Sequence, residues 1–98
     1  MSPRPKKPRN CCPNRRPGDL VFKPAGTPLS ALEKIPLDSD ELEALRLCDQ
    51  LGMTQAEAGE QMGISRGTVQ RLVTSGRKKL VTALLTGQAL MIELPAES

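Results

Sequence analysis

Residues 55–72 read QAEAGEQMGISRGTVQRL, and the side-chain sizes along this stretch predict two short helices crossing at a tight turn. Ala58 and Gly59 stand where the helices approach, a place that admits only small side chains. Met62 plugs the core and Gly63 supplies the left-handed residue that stops the first helix. Ile64 buries under the turn, and Val69 and Leu72 pack the second helix back onto the first. Each position has the size its place demands, a combination that two unrelated helices rarely meet. The stretch therefore reads as a helix-turn-helix.

The signals on either side fix its limits. Thr54-Gln55-Ala56-Glu57 has capping-box spacing, so the first helix runs from there to about Met62. Ser65 is an N-cap for a longer helix, Arg66 to about Thr86, which Gly87 ends. Twenty-one residues span about 31 Å. Val69, Leu72, Val73, Leu80 and Leu84 mark its expected inward face, and Gly76 is expected to be a close-packing point or a kink. Upstream, Asp38 and Glu41 have capping-box spacing, with acidic residues suited to a positive helix end. Leu42, Leu45, Cys48 and Leu51 then follow at helical spacing, widened by Ala44 and Leu47, until Gly52 stops the helix. Cys48 falls on that stripe and reads as a core thiol.

Further upstream, Thr27-Pro28 looks like an N-cap with proline at the first helical position, predicting a short helix to about Lys34 that Pro36 closes. Leu29 and Leu32 would face inward. Leu20-Val21-Phe22 and Ala89–Leu94 are strand candidates, too short to stand alone. They are expected to pair with each other, within one chain or across two. The predicted fold is mainly α: a three-helix helix-turn-helix core, a short preceding helix and short terminal strands. Residues 20–94 form the domain, 1–19 an arm and 95–98 a tail.

Composition agrees with packed helices. The chain has 98 residues with one Phe and no Tyr, Trp or His. No run of about 18 apolar residues suggests a membrane span. The basic, Pro-rich N-terminus is not followed by an apolar secretory segment, so a cytoplasmic location is expected. Without His or Tyr, common acid–base arrangements are missing. No Gly-rich phosphate loop is present either, so the sequence does not read as an enzyme. Cys11 and Cys12 are adjacent, which is not zinc-ligand spacing, and no cofactor or metal site is expected.

Charge is segregated. Residues 1–23 hold seven Lys or Arg against one acid, residues 24–60 hold two against eight, and residues 61–88 hold five against none. Two basic blocks around an acidic one imply a face for a polyanion. With Val69, Leu72 and Val73 inward, the opposite face of the long helix carries Arg66, Gly67, Gln70, Arg71 and Thr74, with Thr68 beside them. Arg suits guanine O6/N7 and Gln suits adenine N6/N7, so this set reads as base-contacting in a major groove. The alternative is contact with phosphate only, which is expected for Arg71 or Thr68. Arg77, Lys78 and Lys79 are expected at phosphate, with a solvent-facing Lys79 as the alternative. Ser65 and the Thr54-Gln55 helix start offer further phosphate contacts. The arm alternates proline with Arg4, Lys6, Lys7 and Arg9, followed by Arg15 and Arg16. It reads as a flexible chain that tracks a minor groove or tethers through the backbone. The expected partner is double-stranded DNA, bound by a homodimer for which the long helix and terminal strands offer contact surfaces.

Several blocks together carry a resemblance. RPKKPR at 4–9, FKPAGTPLSALE at 22–33, LDSDELEALRL at 37–47, MTQAEAGEQMGISRGTVQRL at 53–72 and KKLVTALLTGQALMIE at 78–93 resemble the uncharacterised-protein family 0251, domain of unknown function 134. The resemblance covers nearly the whole chain. It implies a DNA-binding protein whose helix-turn-helix is similar to sigma-factor region 4, hence a transcription regulator. It also implies an alternative, an interaction module docking on RNA polymerase, for which the acidic residues Asp40, Glu41, Glu43 and Asp49 would meet a basic partner. Val21 stands where the family pattern often has an aromatic, and Cys11 and Cys12 match no functional family position.

Overall fold

The computed structural model describes residues 20–93; the arm, the tail and their Arg4, Lys6, Lys7, Arg9, Arg15 and Arg16 lie outside them. The order of elements is β1 (Leu20–Phe22), a single 3-10 turn (Leu29–Ala31), β2 (Lys34–Leu37), α1 (Ser39–Leu45), α2 (Gln55–Met62), α3 (Arg66–Thr86) and β3 (Ala89–Ile92). The architecture is mainly helical, a helix-turn-helix core carried on a small three-stranded sheet.

The strands pair within the chain. β3 lies centrally, antiparallel to β1 with Val21 opposite Met91, and parallel to β2 with Ile35 opposite Leu90. The whole helical unit is thus the crossover between two parallel strands. β2 corrects the sequence expectation of a helix from Pro28 to Lys34. Pro28 is extended, and Leu32 leaves the 3-10 turn in an extended conformation after three residues. Ile35 and Leu37 then alternate toward the core while Pro36 stays exposed. Pro36 is tolerated because β2 is an edge strand. The backbone bonds at its ends run from the Ala89 N–H to the Glu33 carbonyl and from the Glu93 N–H to the Leu37 carbonyl. This phase leaves the proline nitrogen on the open edge.

The second expected helix is shorter than its apolar spacing implies. α1 passes at Leu45 into a π-helical turn, Arg46–Gln50, closed by the Leu51 N–H on the Arg46 carbonyl at 2.9 Å. A π turn inserts one extra residue and rotates the residues downstream of it. Leu51 is thereby turned out and is 54% exposed, while Leu47 is fully buried. Cys48 is half-buried against the core.

The core has two lobes. Ala44, Leu45, Leu47, Ala58, Val69 and Val73 join the three helices, and Leu37, Ala83, Leu90 and Ile92 join α3 to the sheet. Leu80 packs against both. A fully buried valine such as Val69 or Val73 contributes about 1.5–3 kcal/mol, so apolar packing rather than surface charge sets the angle of α3.

Two glycines let backbones approach. A Cβ on Gly59 would sit 2.7 Å from the Ile64 carbonyl oxygen, and one on Gly76 would sit 2.8 Å from Leu45 Cδ1. The first is blocked by backbone and the second by a core leucine. α3 runs unbroken through Gly76, so that residue is a packing contact and not a kink. Leu84, expected inward, is 81% exposed, and Ala83 takes the buried place. A straight helix turns about 100° per residue. That rotation keeps Leu84 within about 20° of Val73, and it is exposed because neither core lobe extends over it at this end of α3.

Candidate nucleic-acid interface

α2 and α3 are held by caps that the sequence announces. The Glu57 N–H donates to Thr54 Oγ1 at 3.0 Å and the Thr54 N–H donates to Glu57 Oε1 at 2.9 Å. Gly63, at φ +74°, ends α2, and the Ile64 N–H reaches back to the Gly59 carbonyl. Ser65 Oγ then accepts the Thr68 N–H at 3.1 Å and opens α3.

The outward face of the N-terminal half of α3 presents Arg66, Gly67, Gln70, Arg71 and Thr74, all exposed. Thr68 is half-buried and closes a short chain of hydrogen bonds. Its Oγ1 shares a hydrogen with Ser65 Oγ at 2.9 Å and accepts from Arg71 Nη2 at 3.2 Å. Arg71 is therefore held over the first turn of the helix, beside Gly67. No acidic residue occurs anywhere in α3, so nothing on the helix itself offsets this positive end.

Three expected contacts stand differently. Lys79 points inward: its Nζ donates to Glu41 Oε1 at 2.8 Å and its side chain is only 26% exposed. That geometry turns Lys79 toward α1 and Glu41 instead of outward. Helical spacing puts Lys79 seven residues from Leu72, on the flank of the buried face. Arg77 is exposed but clamped by Asp49 through two bonds, Nη2 to Oδ1 at 2.6 Å and Nε to Oδ2 at 3.1 Å. Within the Arg77, Lys78, Lys79 cluster, Lys78 alone is an exposed cation with no ion pair among the described residues. At the start of α2, Thr54 Oγ1 accepts the Glu57 N–H and the Thr54 N–H donates to the Glu57 carboxylate. That carboxylate takes the N-cap N–H, and the Thr54 hydroxyl proton and the half-buried Gln55 side chain are the polar groups left for a phosphate there.

Glu41 is the residue whose part the sequence least reveals. It is 3% exposed. It accepts from Lys79 Nζ, from the Ser75 hydroxyl and from the Asp38 N–H at 2.9 Å. Burial pushes its carboxyl up, and the three hydrogen bonds with the Lys79 charge outweigh that and hold it below its ordinary value. Its capping spacing is legible in the sequence; its role as the polar clamp between α1 and α3 requires knowing that Gly76 draws the two helices together. Arg77 likewise holds the Asp49 carboxyl low, chiefly through its hydrogen bond. Glu43 is held low by its hydrogen bond from Arg46. Of the acidic set Asp40, Glu41, Glu43 and Asp49, three are thus engaged inside the protein and Asp40 remains exposed.

Among the described residues no helix is long and apolar enough to cross a membrane. The family model for the protein of unknown function DUF134 matches residues 1–95. The chain is 53% identical over 91 residues to a UPF0251 protein of Dehalococcoides mccartyi, covering 93% of this chain and 76% of that protein. It is 50% identical over 91 residues to a UPF0251 protein of Shewanella pealeana, covering 91% of each. A UPF0251 protein of Aeromonas salmonicida is 46% identical over 91 residues, with 93% of this chain and 87% of that protein covered. No solved structure matches. The chain belongs to the DUF134 family, whose relatives here carry the name UPF0251.

Proposed function

We propose that this chain binds double-stranded DNA and regulates transcription, with the N-terminal half of α3 in the major groove. The observation that carries the reading is the outward face made by Arg66, Gly67, Gln70, Arg71 and Thr74, exposed together with no carboxylate among them. The chemistry fits base edges: Arg and Gln each offer paired hydrogen-bonding groups, and Gly67 lets the backbone approach. The recognition helix of a helix-turn-helix uses its N-terminal residues in this way. Lys78 and the basic residues of positions 4–16 supply phosphate contacts.

Such contacts release counterions, so the logarithm of affinity falls linearly with the logarithm of salt concentration. The full chain is expected to shift a random-sequence duplex at low salt and to release it as salt rises. A chain that leaves the duplex unshifted at the lowest salt tested contradicts the proposal.

A further inference from the structure

We infer that the last turns of α3 form the contact surface for a second copy of this chain. Leu84 and Leu85 are 81% and 82% exposed, and Val81 is 51% exposed. Spaced i, i+3 and i+4, the three make one continuous strip. Scattered exposed leucines need no explanation, whereas a contiguous strip on a well-formed helix marks an interaction surface. This end of α3 is well formed: Thr86 Oγ1 donates to the Thr82 carbonyl at 2.7 Å, and Gly87 caps the helix in the left-handed conformation.

Charge and symmetry identify the occupant. From Leu80 to Ile92 the chain has no ionisable side chain. A charged partner would find nothing to pair with there. Two copies related by a two-fold axis oppose the same residues to each other, and over Leu80–Ile92 that brings no like charges together. The terminal strand β3 offers less, because it is already paired on both edges within the chain.

The strip also continues the face that carries Gln70, Thr74 and Lys78 earlier on the same helix. Joined at their C-terminal ends, two α3 helices would fork away from the junction with their polar, basic halves outermost, as continuous helices do in other DNA-binding dimers. That consequence rests on the DNA-binding reading; the self-association does not.

Sedimentation equilibrium of the full chain without DNA, from micromolar to several hundred micromolar, tests the surface. The wild type is expected to fit a monomer–dimer equilibrium. The Leu84→Asp, Leu85→Asp double variant is expected to remain monomeric with an unchanged helical circular dichroism spectrum. Leu84→Ser with Leu85→Ser gives the same reading without added charge. A wild type monomeric throughout, or a double variant that dimerises as the wild type does, overturns the inference. A dimer that fails to bind duplex DNA leaves it standing and removes the DNA-binding proposal instead.

Discussion

Replacing Glu41 with alanine is expected to destabilise the fold by about 3 kcal/mol, measured by denaturant unfolding. Breaking a buried ion pair by removing one partner costs about 3–5 kcal/mol, because the remaining charge is left uncompensated. Lys79 keeps about a quarter of its side-chain exposure and regains some hydration, which places the loss near the lower end. The Ser75 hydroxyl and the Asp38 N–H lose their acceptor as well. The double replacement Glu41→Leu, Lys79→Met is expected to recover most of the stability, since an apolar pair of similar volume avoids desolvating two charges. The wild type should also show an acid-sensitive component. The Glu41 carboxyl is held below its ordinary value in the fold, so its contribution is present above about pH 4.3, the unfolded-state pKa. It is lost as pH falls through the lower folded-state pKa. An unfolding free energy for the Glu41→Ala variant within about 0.5 kcal/mol of wild type, the range of ordinary surface substitutions, would show that the pair is not a clamp.

The second large effect concerns DNA. Combined replacement of Arg66, Gln70 and Arg71 by alanine is expected to abolish sequence preference and to weaken binding of a selected site strongly. Each bidentate base contact discriminates by about 1–3 kcal/mol. Residual salt-sensitive binding should persist, because the basic residues at 4–16 and Lys78 are retained. Lys78→Ala is the contrasting variant. It should weaken all sequences alike and reduce the salt slope by about one. Mobility-shift titrations on a selected and a scrambled duplex separate the two patterns. An unchanged preference in the triple variant would place base recognition elsewhere.

The region from Gln55 to Leu72 is legible in the sequence because the constraint there is steric. Gly59 must clear the Ile64 carbonyl, and few residue sequences satisfy that turn. The caps at Thr54 and Ser65 are legible for a similar reason, since each needs a particular oxygen at a particular spacing. The departures have physical causes. Regular α spacing carried through Arg46–Gln50 points Leu51 inward, and the π turn there shifts the register. An apolar stripe extended down α3 points Leu84 inward, and it is exposed because neither core lobe reaches that far along the helix on its side. β2 is hidden because Leu29 and Leu32 fit a helical turn as well as they fit a 3-10 turn leading into a strand. Its pairing with β3 decides between them. For the candidate site, periodicity identifies the exposed face of α3. It does not reveal that Asp49 occupies Arg77 or that Glu41 draws Lys79 inward, because both partners come from residues about 30 to 40 positions away. Such pairings depend on tertiary placement and leave no local spacing.

The central claim is that the outward face of the first half of α3 contacts duplex DNA, and amide chemical-shift mapping of the isotope-labelled full chain against a DNA duplex tests it most directly. The largest perturbations are predicted at Arg66–Thr74 and near Gln55, with smaller ones at Lys78 and none concentrated on β1 to β3. Perturbations confined to the sheet or to the C-terminal turns of α3, or a spectrum unchanged by saturating duplex, would contradict it.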